Sequence, residues 1–381
     1  MNFFIIGNAS SVWMKEYIKS IHIKNGHKVY LTVYERLNDE YSDEYNKMGV
    51  ELVVIGKNNG KIEKIKKLVR LINFSIRHSK NERFDIIEIQ SPPHNMQAYV
   101  ISLCLKIMKS KVFLMFWGSD ILDISKKEAY YLEKIVKQSD IINRPGVNAY
   151  SAFKTYFGNK YKKKFTPYSL RFGTLALPYI EKISREMTVK ESKCYLGLDH
   201  DKISVAIGYN GKNRQQHMKV IEAIKNIDIR YKNKIQLIFH MVGNNDYGYR
   251  KSIIDNCQKY GFEFIILDGV LDFEQIAVLR NATDIFIHAQ TTDGLSGTIR
   301  ECLYSGVKVI NPEWIPYDEL KKIDIDYIEY SNFDDLNNCL IECIDDPLLI
   351  DREKNKMLIF DNYSWVSISE RWLDTFNEMI N

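Results

Sequence analysis

Cysteine is sparse in this chain of 381 residues, and none of the six stands in a C-x-x-C pair. Cys104, Cys194, Cys257, Cys302, Cys339 and Cys343 are scattered. Cys339 and Cys343 fit one helix face but bring no further soft ligand, so a thiolate metal site is a poor match. Free thiols in a reducing cytoplasm are the expectation. Long apolar runs are also missing. "FFIIG" after Met1 and Asn2 is far too short for a signal-peptide core or a spanning helix, and suits a buried first strand. A cytoplasmic protein, soluble or held at the inner face of the cell membrane, is expected. There is no internal repeat and no low-complexity segment.

What is present points to two domains. A single core seldom serves more than about 250–300 residues. Apolar content of 45% and charged content of 27% are ordinary for globular chains. The net charge of +4 conceals an asymmetry. Residues 1–178 carry 29 Lys+Arg against 16 Asp+Glu, a balance of +13, and residues 179–381 carry 24 against 33, a balance of −9. The two halves are built for different surroundings.

Short β-rich runs alternate with helical patterns. "NFFIIG", "HKVYLTVY", "VELVVIG", "FDIIEIQ", "KVFLMFWG" and "SDIINR" are strand candidates in the first half; "KISVAIG", "KIQLIFHMVG", "FEFIILDG", "TDIFIHA" and "VKVINP" follow in the second. Stretches 10–25, 94–109, 126–138, 214–226 and 273–281 suit helices. Continuous apolar strands joined by helices predict parallel sheets covered on both faces. The expected architecture is α/β, two doubly wound Rossmann-like domains with an interdomain cleft. The boundaries are 1–175, completed by a closing helix at 364–380, and 176–363. Ligands meet such sheets at the carboxyl ends of the strands.

The segment "TTDGLSGTIRECLYSGVKVI", residues 291–310, lies at such an end. "TDIFIHA" reads as a strand, "IRECLYSG" as a helix closed by Gly306, and "VKVI" as the next strand. Gly294, Ser296 and Gly297 let backbone approach a ligand, and a helix start leaves amides unpaired. Amides from Gly294 through Leu295, Ser296 and Gly297 to Thr298 suit a diphosphate. Each hydrogen bond to a charged oxygen contributes roughly 1.5–3 kcal/mol. Asp293 is placed to accept from sugar hydroxyls, and Glu301 to take two neighbouring hydroxyls, as on a ribose.

The whole segment from Asp284 to Gly306 resembles the signature of GT-B glycosyltransferases of the family-4 type, in which an acid and a glutamate are separated by seven residues. Asp293 and Glu301 have that spacing, with Asp293 in place of the usual glutamate and Ser296 where glycine is common. In that family the turn amides and the second acid hold the nucleotide sugar while the first contacts the transferred sugar. "SSVWMKEYIKSIHIKNGHKVYLT" is similar to the family's first helix and the G-H-x-V lead-in to its second strand. "KVFLMFWGSDIL" is similar to an H-G-S-D motif in which Trp117 replaces the histidine and Gly118, Ser119 and Asp120 match. "AIGYNGKNRQQHMKVIEAI" resembles the first turn of the donor domain, with Lys212 and Arg214 near the diphosphate-binding position and Tyr209 replacing the usual arginine. Its texture also resembles lipid-linked Fuc4NAc-type transferases. "YSLRFGTLALPYIE" is similar to the linker strand, and "YSWVSISERWLDTF" to the closing helix. The loop Gly269, Val270, Leu271 matches the one that faces the nucleobase in relatives.

The resemblance implies an enzyme moving sugar from a nucleotide-sugar donor to a glycan or lipid-linked acceptor in surface polysaccharide assembly, with retained configuration and the leaving phosphate taking the acceptor proton. Asp293 and Asp120 are the catalytic candidates; Asn8, Ser10, Ser11 and Trp117 are the acceptor-side candidates. No cofactor is implied, and no metal: "DHD" at 199–201 and "DID" at 324–326 read as surface turns. Charge on the diphosphate must then be met by helix amides and basic side chains. A nucleotide-sugar epimerase of the same fold and a catalytically silent binding protein are the rival readings.

"GKIEKIKKLVRLINFSIRHSK" sets Ile62, Ile65, Val69, Ile72 and Ile76 at helical spacing, with Lys61, Lys64, Lys67 and Arg70 around them; Lys160, Lys162, Lys163 and Lys164 follow later. Two readings fit: a solvated outer helix packed on the sheet, or peripheral contact with anionic membrane headgroups. Nucleic acid is not expected, since exposed aromatics do not interleave the bases.

Overall fold

A computed structural model of the chain describes all residues except 57–59, 82, 118–119, 123 and 244–245, and all side chains except those of 61, 62, 81, 147 and 148 as well. Gly118 and Ser119 of the expected motif therefore lie outside the described residues, as do the side chains of Lys61 and Ile62. The chain divides into two compact units, Met1–Gly173 with Trp365–Asn381, and Thr174–Ser364.

The first unit holds six parallel strands: β1 (Asn2–Ile6), β2 (Lys28–Val33), β3 (Glu51–Val54), β4 (Ile86–Gln90), β5 (Lys111–Met115) and β6 (Ile141–Ile142). Their order is β3-β2-β1-β4-β5-β6. β1 and β4 are buried almost throughout, because helices cover both faces and β-branched and aromatic side chains fill both pleats. The closing helix Trp365–Ile380 belongs to this unit. Its Trp372 and Phe376 are fully buried, Phe376 meets Phe3 at 5.0 Å between centroids, and Trp372 Nε1 donates to Arg171 O at 3.0 Å.

The second unit repeats the plan with β7 (Ile203–Ile207), β8 (Ile235–His240), β9 (Phe264–Leu267), β10 (Ile285–Ile287), β11 (Lys308–Pro312) and β12 (Ile328–Tyr330), in the order β12-β11-β10-β7-β8-β9 and all parallel. Pairs such as Ile285 with Val205 and Ile310 with Ile328 set the register. Eleven of these strands coincide with the apolar runs in the sequence. The twelfth, β12, is a three-residue edge strand, too short to show a period.

The helix expected over 10–25 is broken. It runs as Val12–Tyr17, a π turn Ile18–His22 and a 3₁₀ turn Ile23–Asn25, ending at Gly26 with φ +69°. Helix Lys61–Asn81 differs more. It rests on the sheet through Leu71 and Ser75, with Leu68 and Phe74 partly buried, while Ile65, Val69 and Ile76 point outward. Of the described members of the isoleucine–valine stripe, only Ile72 packs partly on the core, so most of the stripe is not the face that meets the sheet. Helix Met96–Met108 lies beside it, and Lys126–Gln138 lies on the far side of Met96–Met108.

Candidate functional site

In the second unit the strand order reverses between β7 and β10. Chain leaves these two neighbours toward opposite edges, which opens a crevice at their carboxyl ends. The two loops there are stitched together. Thr291 N donates to Arg214 O at 3.0 Å, Gln216 Nε2 to Ala289 O at 2.6 Å, and Gln215 Nε2 to Gln290 Oε1. Gly208 starts the first loop at φ +64°, and a Cβ there would lie 2.7 Å from His217 Nε2. A side chain is excluded both by the backbone and by space.

The second loop is folded around Asp293. Its Oδ1 accepts from Gly294 N at 2.9 Å, and its Oδ2 from Ser296 N at 3.1 Å and Tyr317 Oη at 2.6 Å. A carboxylate has about four acceptor positions; three are occupied, and the side chain is only 9% exposed. The expected open sugar acceptor is therefore mostly engaged in holding its own turn. Burial and Asp293 together raise the Tyr317 pKa far above the usual phenol value, which keeps the hydroxyl a donor. The turn carries strain as well. Leu295 has φ +65°, which costs a non-glycine residue roughly 1–3 kcal/mol. Its side chain is buried in the core, so it can offer a ligand only its backbone.

Helix Gly297–Tyr304 begins beyond this turn, and Ser296 at its N-cap gives no side-chain hydrogen bond to it. The first amides of the helix, Gly297 and Thr298 among them, therefore have no intrahelical or capping acceptor among the described residues. Glu301 sits one turn in, 12% exposed, with Oε2 taking Arg280 Nε at 3.1 Å and a second guanidinium nitrogen at 3.0 Å. Arg280, from helix Phe273–Ala282, also donates to Thr298 Oγ1 at 3.2 Å. Burial opposes its charge, but Cys302 and Glu301 outweigh that and raise its pKa. Glu301 Oε1 has no hydrogen bond among the described residues and lies on the Gly297 side, 3.4 Å from where a Cβ there would stand. Sequence reading missed Arg280, Tyr317 and His288. Their signal was weak: His288 is a lone polar residue in an apolar run, while Arg280 and Tyr317 stand in mixed stretches with no spacing that ties them to the motif.

His288 is fully buried behind Asp293, with Nδ1 2.9 Å from Asn311 Oδ1 and Nε2 3.9 Å from Asp293 Oδ2. Burial lowers its pKa against the pull of Asn311 and Asp293. Tyr209, at the position expected to be arginine, stacks on the His288 ring at 6.1 Å. Lys212 and Arg214 are exposed on the stitched loop, and neither side chain has a partner among the described residues. Gly269 and Val270 are exposed after β9, while Leu271 packs partly on the core. Asp284 pairs with Lys193 at 2.7 Å and caps Ser204 N, a structural task at the far end of β10.

His217, behind Gly208, gives a pH prediction. It is fully buried, with Nδ1 3.0 Å from the Tyr249 hydroxyl, and burial lowers its pKa from 6.5 to about 4. A depressed folded pKa means the unfolded chain takes up the proton first. The stability is fully present above about 6.5 and is lost as pH falls toward 4. Denaturant unfolding should lose about 2 kcal/mol between pH 7 and pH 5 from this group. His27 in the first unit is shifted the same way, by burial first. The His217→Gln variant should therefore flatten part of the slope; an unchanged slope would remove His217 from the account.

In the first unit the reversal falls between β1 and β4. The loop after β1 is an Asn8 turn: its Oδ1 accepts from Ser10 N at 3.0 Å and its carbonyl from Ser11 N at 3.2 Å. Ser10 is exposed, and Ser11 starts helix Val12–Tyr17 without capping it by its side chain. Trp117 is partly buried. Its Nε1 donates to Gln90 Oε1 at 3.1 Å, and Gln90 in turn donates to the buried Glu88, which also takes the Tyr17 hydroxyl at 2.6 Å. Asp120 is 4% exposed, and its carboxylate accepts from Trp117 N at 3.0 and 3.1 Å. It braces its own loop.

Elsewhere, side-chain atoms of Asp199, His200 and Asp201 lie within 4.8 Å of one another, all exposed, but Asp201 already pairs with Lys190 at 3.1 Å. Asp324 and Asp326 pair with Lys354 at 2.9 and 3.1 Å. No helix among the described residues is long and apolar enough to cross a membrane.

No family model matches the chain, and no curated protein matches its sequence. Solved structures do match its fold. A glycosyltransferase from Rickettsia africae has a TM-score of 0.76 at 13% identity, over 100% of this chain and 98% of that one. HepE from Anabaena, solved with UDP and glucose, has a TM-score of 0.68 at 13% identity, over 99% and 100%. Sucrose-phosphate synthase from Thermosynechococcus elongatus has 0.69 at 12%, over 100% and 99%. These neighbours are GT-B glycosyltransferases, and the chain shares their fold class, two Rossmann-like units each built on a six-stranded parallel sheet.

Proposed function

We propose that the chain is a glycosyltransferase that moves a sugar from a nucleotide-sugar donor to a glycan or lipid-linked acceptor, in the assembly of a surface polysaccharide. The observation that carries this is the crevice between β7 and β10. There a helix start without a side-chain cap, a glutamate with one oxygen pinned and the loop that carries Lys212 and Arg214 lie at one sheet end. Glu301 Oε1 takes the ribose hydroxyls. The amides of Gly297 and Thr298, with Arg214 and Lys212, take the diphosphate. The Gly269–Leu271 loop borders the base. UDP is the first nucleotide to test, because HepE has been solved with UDP-glucose.

In transfer, the bond from the sugar's anomeric carbon to the diphosphate oxygen breaks and one to the acceptor oxygen forms, while the acceptor proton passes to the departing diphosphate. Configuration is retained. Charge growing on the leaving group is met by the helix start and Arg214, without a metal. Asp293 keeps the turn in shape and offers its remaining acceptor position to the sugar. Asn8, Ser10, Ser11 and Trp117, on the loops of the first unit, contact the acceptor, with Asp120 bracing Trp117.

The test is incubation with a panel of nucleotide sugars, with and without lipid-linked saccharides, and measurement of released nucleoside diphosphate. Release that rises with acceptor is expected. Isomerised donor without acceptor would indicate an epimerase, and binding without turnover a silent protein. Arg214→Ala should weaken UDP binding about tenfold by calorimetry, the effect of one partly solvated charged hydrogen bond. Undiminished affinity would take Arg214 off the diphosphate.

A further inference from the structure

We infer that the outer face of helices Lys61–Asn81 and Met96–Met108 docks on a bilayer surface rich in anionic lipid. Ile65, Val69 and Ile76 are 65%, 49% and 40% exposed on the first helix, so three large aliphatic side chains stand in water. At about 100° per residue they fall within roughly 40° of one another around the axis. Lys80, Lys66 and Arg77 fall in the next arc of about 60°. All three are exposed, and none has a side-chain partner among the described residues. The helix is thus three-sided, with a core face through Leu71 and Ser75, an aliphatic ridge, and a basic flank.

The neighbouring helix extends the ridge. Tyr99 and Leu103 are exposed on it, Lys106 adds a base, and its sequence contains no acid. The first helix contains one acid, Glu63, already bound to Arg70. An aliphatic ridge beside unpaired bases matches the border of a membrane. The apolar groups enter the headgroup zone while ammonium and guanidinium groups meet lipid phosphates. Tyrosine is favoured at that depth. The other classes of partner fit less well. A nucleic acid gains nothing from exposed aliphatics and offers its gains to stacked aromatics. Protein interfaces are poor in lysine.

This inference stands apart from the donor reading, and one experiment keeps the two distinct. The full chain is floated with vesicles of phosphatidylcholine alone, or with phosphatidylglycerol added. Binding is expected only to the second. A Lys66→Gln, Arg77→Gln, Lys80→Gln triple variant should lose on the order of a hundredfold in partitioning, about fivefold per charge. An Ile65→Ser, Val69→Ser, Ile76→Ser variant should bind weakly and be released fully by concentrated salt. All of these side chains are on the surface, so melting curves should match the parent, and UDP calorimetry should be unchanged in both. Equal binding to neutral and anionic vesicles, no vesicle binding, or an unaffected charge variant would overturn the inference. So would a dimer dissolved by the serine variant without vesicle binding, since the ridge would then belong to a second copy.

Discussion

Arg280→Met is expected to lower the unfolding free energy by about 3–5 kcal/mol, because it strands the Glu301 carboxylate in a nearly dry site. Both side chains are almost buried, at 6% and 12% exposed, and Glu301 Oε2 takes both of its hydrogen bonds from this one guanidinium. Removing the acid instead, as Glu301→Met, strands Arg280 and should cost a similar amount. The double variant leaves no charge unpaired and should recover most of the loss, since an apolar pair of like volume can replace a buried ion pair. Nucleotide affinity should behave differently. With Glu301 gone no carboxylate remains for the ribose, so the double variant should be stable and still bind UDP far more weakly than the parent. Denaturant melts read the first quantity and calorimetry the second. Recovery of both would make the pair purely structural; failure of the double variant to recover stability would show that the pair's cost lies elsewhere.

Asp293→Ala should cut transfer by on the order of a hundredfold or more, with a loss of stability of about 2–4 kcal/mol. The variant removes the acceptor of Gly294 N, Ser296 N and the Tyr317 hydroxyl together. The first amide can turn to water; the buried tyrosine hydroxyl loses the acceptor of its proton and keeps only the longer 3.3 Å contact with His288 Nδ1. The left-handed conformation of Leu295 then has nothing to hold it, and the helix start that follows shifts with the turn. UDP affinity should therefore fall along with the rate. Tyr317→Phe takes away only one of the three bonds and leaves both amides held, so it should cost about 1 kcal/mol and little affinity. Asp293→Asn still offers one acceptor oxygen and should fall between the two. If Asp293→Ala kept both its melting point and its UDP affinity while losing transfer, Asp293 would act on the sugar alone and not through the turn.

Much of the local structure around this candidate site was legible in the sequence alone. The apolar run ending at Ile287, the small residues from Gly294 to Gly297 and the helix closed by Gly306 are local patterns, and each follows from period, turn chemistry or a positive φ. The strand-to-helix order in turn implies a sheet whose carboxyl ends carry the loops. Residues contributed by other elements were not legible. Arg280 reaches Glu301 from a different helix, and Tyr317 reaches Asp293 from beyond β11. Nothing in the spacing of either announces its partner.

The sequence by itself determined eleven strands, the pairing of acid and glutamate around one helix start, and the basic character of the first half. These depend on neighbours along the chain, where side-chain period and turn residues act directly. Tertiary structure alone decided which of two apolar faces of helix Lys61–Asn81 meets the sheet, that Asp120 turns inward, and that Arg280 fixes Glu301. Periodicity states which side chains share a face, not what that face touches. What it touches is set by strand order and helix layering, which bring together residues far apart in the chain.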